Sequence, residues 1–204
     1  MAGSEEKSGM LFKDLITANK TDAEAQDSLV NVIVDILEWE CAQNDAELTG
    51  RPTRVTLFHG QNPPGVSVRA YLERVQDFSG ASSCCFVLAC YYLETLRGID
   101  ISYKINSYNF HRLILSSIMV AAKFVDDFYF SNNYWAKVGG IPNDELNGLE
   151  LEFLFLTNFN LHVKRDDYDA FASELRRRQQ HIKEDQSVKS MSNLTVNASQ
   201  ISVS

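Results

Sequence analysis

Lys123 is the residue whose setting most calls for a chemical explanation. It lies in an apolar run from Phe110 to Val125 whose only other charge-bearing side chains are Arg112 and, when protonated, His111. A helix apolar on nearly all sides packs inside a helical core, and a lysine is rarely buried there without a partner. It therefore snorkels to the rim of the core or meets a specific acceptor. Glu150 and Glu152 are the matching anomaly in a second apolar run further along the chain. A lysine and a glutamate held together at the edge of a core keep spare protons and lone pairs that can bind a partner's backbone. The spacing is equally compatible with two ordinary surface residues on separate helices.

The remaining reactive groups offer less. Asp126-Asp127 and Asp166-Asp167 are adjacent carboxylates, but neighbours on a helix point in different directions, so solvated helix ends are expected rather than acid–base work. The four cysteines, Cys41, Cys84, Cys85 and Cys90, form no CxxC pair, and His59, His111, His162 and His181 are scattered. Metal ligation needs convergent ligands at suitable spacing, so no metal is expected, and Cys84 and Cys85 read as small core residues. Phosphate-cradling glycine loops, GxSxG and HExxH are absent from the sequence. Neither catalysis nor a cofactor is expected. Arg176-Arg177-Arg178 reads as a solvated helix end.

Composition narrows the partners. The 204 residues are 45% hydrophobic and include 12 phenylalanines, enough for one sizeable core. The net charge of −8 is uneven: residues 1–66 carry 5 basic and 11 acidic groups, residues 67–183 carry 13 and 14. Such a near-neutral segment has no basic face for nucleic acid. No apolar run reaches the roughly 18 residues of a membrane span, and MAGSEEKSGM has no apolar signal region. The expectation is an intracellular protein, cytoplasmic or nuclear, that binds neither nucleic acid nor membrane.

The elements that must position Lys123 and Glu150 follow from apolar periodicity. Residues 1–27 are polar and expected to be mobile. Leu29, Val32, Ile33, Ile36 and Leu37 predict a helix over 28–41 with Ser28 as N-cap. A glycine- and proline-rich loop follows to Gly65, and its apolar trio Val55, Leu57 and Phe58 suggests that it packs down. Five helices are then predicted: from Ser67 to Ser79-Gly80; from Ser82 to Arg97 with Gly98 as C′; from Asn106 or Ser107 to Asp126; from Ser131 to Val138; and from Asp144 to Asn158, after Pro142. A last helix is predicted over Tyr168–Ile182, and a serine- and asparagine-rich disordered segment over 184–204. The fold class is all-α, a bundle around a buried third helix.

The segments FHG…PPGVSVRAYLERV, FHRLILSSIMVAAKFVDD, NNYWAKVGGI and LNGLELEFLFLTNFNL occur in this order and spacing. Together they closely resemble the cyclin box, best that of the phosphate-pathway and P/U-type cyclins, over about Phe58–Leu161. The resemblance implies a five-helix cyclin box (66–161), flanked by an N-terminal helix with its packed loop (28–65) and a C-terminal helix (162–183). It implies a subunit that pairs with a cyclin-dependent protein kinase and activates it, in cell-cycle or phosphate signalling. The family's lysine and glutamate, which hold the loop ahead of the kinase's regulatory helix, match Lys123 and Glu150, and Phe124, Leu154, Phe159 and Leu161 match its apolar interface positions. The chain has one box, and Val75 stands where cell-cycle cyclins carry the tryptophan of their substrate-docking patch, which speaks against docking through that face. The competing expectation is a cyclin-fold scaffold that binds proteins without activating a kinase.

Overall fold

The computed structural model describes residues 29–48, 52 and 54–201, with side chains described as far as residue 188. Among these residues the regular structure is all helical. The order is α1 (29–47), α2 (Val68–Ser79), α3 (Ser83–Ile99), a 3-10 turn (Ile101–Tyr103), α4 (Phe110–Val125), α5 (Asn132–Gly139), α6 (Asn143–Leu156) and α7 (Arg165–Ile201). No helix among the described residues is long and apolar enough to cross a membrane. The expected mobility of residues 1–27 and the Ser28 cap lie outside the described residues.

The third helix of the expected bundle is α4, and it touches α2, α3, α5 and α6. From Phe110 to Ala122 every residue except Arg112 is buried. Burying an apolar side chain of this size is worth about 1.5–3 kcal/mol, so α4 is the element on which the others condense. Gly80 and Gly140, at φ 65 and 71, end α2 and α5 in the left-handed conformation, where a Cβ would be strained. Gly139 serves another purpose. A Cβ there would lie 2.1 Å from Cδ2 of the fully buried Leu115, so its absence lets α5 rest directly on α4.

The flanking segments depart from the sequence pattern wherever long-range contacts act. α1 runs to residue 47, beyond the predicted 41. Its last turns are held by Asn44, which donates to the Ile105 carbonyl at 2.7 Å, and by Asp45, which accepts from the Ser107 N–H at 2.8 Å. Asp35 on α1 pairs with Arg69 of α2 at 2.6 Å and accepts from Gln179 of α7 at 2.5 Å. α3 continues through Gly98 to Ile99. α4 starts at Phe110 after Asn109, because Asn106 and Asn109 instead hold the preceding turn through the backbone N–H groups of Tyr108 and Asn106. In the loop before α2, only Phe58 of the apolar trio packs down: it is fully buried against Tyr103 and Phe153, while Val55 and Leu57 are exposed.

The predicted disordered segment is also corrected, since α7 extends to Ile201. No glycine or proline follows Arg165 to stop it, and Gln180 donates to Glu184 one turn on. Its last described buried side chain is Ile182, and residues 183–188 are all exposed. Removing residues 184–204 is therefore expected to leave the melting temperature nearly unchanged. A drop of many degrees in a thermal melt would show that this end of α7 carries stabilising contacts.

Candidate functional site

Lys123 is the first residue of α4's last turn to escape the core. Its Nζ donates to Glu150 Oε1 of α6 at 2.7 Å. Nζ also donates to the Asn132 side-chain oxygen at the start of α5, and the Asn132 amide donates in turn to Glu150 Oε2 at 2.7 Å and to Asn147 Oδ1 at 2.7 Å. Three helices thus meet in one closed polar ring. The side chains of Lys123 and Glu150 keep 24% and 19% of their surface open, so they sit at the rim and are not sealed inside. Two of the three ammonium protons are engaged, and each carboxylate oxygen has accepted one bond. One donor and further lone pairs remain for another molecule.

Beside the ring lies apolar surface. One turn beyond Glu150 on the same side of α6 is Leu154, half-buried against the core. Leu151 and Phe155, also one turn apart, are 53% and 59% exposed. Phe159 stands edge-on to Phe155 with ring centroids 5.4 Å apart. It is turned back there by two consecutive residues in the left-handed region, Asn158 at φ 51 and Phe159 at φ 57, and by a bond from its N–H to the Leu154 carbonyl at 2.8 Å. Asparagine tolerates that backbone, whereas phenylalanine pays about 1–3 kcal/mol for it. The strain goes into holding an aromatic ring out in solvent. Phe124, next to Lys123, is exposed as well.

The structure therefore brings Lys123 and Glu150 together and seats Phe159 against the end of α6 that carries Leu154, while Phe124 is exposed next to Lys123 on α4. Leu161 differs. It is buried, and its carbonyl accepts from the Tyr92 hydroxyl at 2.7 Å, so in this chain alone it serves the core. Three members of the site were not singled out from sequence. Asn132 resembled any polar residue opening a helix, and nothing local marks it. Leu151 and Phe155 did leave a signal, since α6 is apolar on more sides than one core contact requires.

Asp126, read as a solvated helix end, instead works as a tertiary clasp. It accepts from the Ser82 N–H at 3.1 Å, from the Ser82 hydroxyl, and from the Cys85 thiol at 3.2 Å. These bonds fasten the end of α4 to the first turn of α3. Asp127 is exposed, as expected. At the other end of α4, burial and the adjacent Arg112 guanidinium bring His111 down to about 4, so the core holds a neutral imidazole.

Comparison with known proteins accounts for this architecture. The profile of the family described as "Cyclin" matches residues 11–161. Cyclin-U4-1 of Arabidopsis thaliana is 41% identical over 151 residues, which cover 73% of this chain and 75% of that protein. Cyclin-P4-1 of Oryza sativa subsp. japonica is 34% identical over 158 residues, covering 75% and 74%, and Cyclin-U3-1 of Arabidopsis thaliana is 39% identical over 132 residues, covering 65% and 59%. With four helices packed around α4 in a five-helix box and a match over most of its length, the chain belongs to the cyclin family, in its P/U-type branch.

Proposed function

We propose that this chain is the regulatory subunit of a cyclin-dependent protein kinase, forming a heterodimer with it through the α4–α6 edge and activating it. One observation carries the reading: Lys123 and Glu150 are held by Asn132 at a partly open rim, next along α4 and α6 to apolar side chains exposed to solvent. A partner segment laid across this edge meets both kinds of contact an interface core uses. Its backbone carbonyl takes the free Lys123 proton, its N–H groups take the spare Glu150 lone pairs, and its apolar side chains cover Phe124, Leu151, Leu154, Phe155 and Phe159. Leu161 contributes from beneath, by fixing the turn that presents Phe159.

The face that corresponds to the substrate-docking patch of cell-cycle cyclins supports a narrower role. Val68, Tyr71, Leu72 and Val75 are all buried, so these four side chains offer no exposed apolar surface for docking, and substrates are expected to be chosen by the kinase or by another surface. The test is to mix the purified chain with a set of purified cyclin-dependent kinases and follow both heterodimer formation and phosphorylation of a general peptide substrate. At least one kinase should form a one-to-one complex and gain activity that it lacks alone. A folded chain that binds a kinase without raising its activity would instead be a cyclin-fold scaffold.

A further inference from the structure

A second cluster of reactive side chains lies where α3 begins and α4 ends. Cys84, Cys85 and Asp126 bring two sulfurs and a carboxylate oxygen within 4.8 Å of one another. Along the chain the thiols and the carboxylate are 41 or more residues apart, which is why spacing alone pointed to no metal. We propose that Cys84, Cys85 and Asp126 form a binding site for a thiophilic divalent cation of the zinc class.

The donor set suits such an ion. Two thiolates and one carboxylate are ligands for zinc, with bonds of about 2.3 Å to sulfur and about 2.0–2.2 Å to oxygen. Those lengths put neighbouring ligand atoms of a tetrahedral site about 3.5–3.8 Å apart. The Cys85 sulfur and Asp126 Oδ2 are already 3.2 Å apart, and the Ser82 hydroxyl, 3.1 and 3.3 Å from the two sulfurs, has to turn aside to admit the ion. Asp126 is also oriented in advance: Oδ1 accepts from the Ser82 hydroxyl while Oδ2 faces the cysteines. This is the arrangement by which outer hydrogen bonds fix a metal-binding carboxylate.

Cys85 is buried and Cys84 is half-buried. Three protein ligands then leave the fourth position on the Cys84 side, so the ion would be exchangeable and not sealed in. Binding replaces the two thiol protons by the metal, M²⁺ + 2 Cys–SH → M(S–Cys)₂ + 2 H⁺, with no change of oxidation state, and affinity should therefore weaken as pH falls. The ion would join the first turn of α3 to the last residues of α4, three positions beyond Lys123. None of this depends on the kinase reading.

The site is tested on the full chain under a reductant that does not bind metal, with cobalt(II) as the spectroscopic probe and zinc as the competitor. One equivalent of cobalt should give thiolate-to-metal charge-transfer absorption, and zinc should abolish it. Cys84→Ser and Cys85→Ser should each lose that absorption, Cys41→Ser and Cys90→Ser should keep it, and Ser82→Ala should weaken binding about 10- to 100-fold. A folded wild-type chain without the absorption overturns the proposal, as does a Cys84→Ser/Cys85→Ser double variant that retains it. Should the cysteine variants fail to fold, alkylation of the native wild-type chain decides. Zinc must slow the labelling of Cys84 and Cys85, and unchanged rates at both would overturn the site.

Discussion

Replacing Lys123 or Glu150 with alanine should abolish kinase binding and leave the chain folded. In the free protein the pair sits at a rim, with 24% and 19% of its side-chain surface open, and Asn132 remains bonded to Glu150, so the pair contributes about 1 kcal/mol. Circular dichroism and the melting temperature should therefore barely change. In the proposed complex a partner covers the pair. Truncating one member then leaves the other charge buried and unmatched, at a cost of about 2–5 kcal/mol. That corresponds to a loss of affinity of roughly 30- to 5,000-fold. Asn132→Ala should weaken binding less, because the direct Lys123–Glu150 bond at 2.7 Å survives it. Titration of each variant against the same kinase measures the order. If the Lys123→Ala/Glu150→Ala double variant still bound and activated the kinase normally, the interface would lie on another face.

Phe153→Ala should have the opposite profile, with a large effect on stability. Phe153 is fully buried in the last turn of α6, edge-on to Phe58 at 6.4 Å and to Tyr92 at 6.3 Å. Its removal eliminates the contact that seats both α6 and the loop before α2. Phenylalanine-to-alanine changes in a core cost about 3–5 kcal/mol, a large share of the roughly 5–15 kcal/mol that holds a domain together. Denaturant titration should show a much lower midpoint with little change in slope. Phe153→Leu, which keeps most of the volume, should recover much of the loss. A cost below about 1 kcal/mol for the alanine variant would mean that the core around Phe153 can collapse on the gap, which close packing forbids.

The helical elements were legible because they rest on local periodicity. The near-continuous apolar run Phe110–Ala122 has only one use in a helical bundle, a central position, and α4 has that position. Lys123 stood out for the same reason, as a charge where the pattern calls for an apolar residue. The family match added Glu150 as its partner, and the ring on α4, α5 and α6 brings the two together. Helix ends were less legible. Asp45 and Asn106 are polar residues whose roles depend on what lies across the gap, and α7 continues because nothing in its sequence breaks it.

By itself, then, the sequence determined which segments between residues 29 and 183 are helices, in what order, and which one the others surround. Backbone hydrogen bonding and side-chain periodicity are properties of neighbouring residues, so they can be read along the chain. Only the tertiary structure decided which polar and apolar residues share a surface. It brought Asn132 between Lys123 and Glu150, clasped Asp126 to Ser82 and Cys85, and left Leu151, Phe155 and Phe159 outside the core. Periodicity assigns a residue to a side of its helix. Whether that side meets the core, another helix or solvent depends on helices far away in the chain, and that is decided only when they pack.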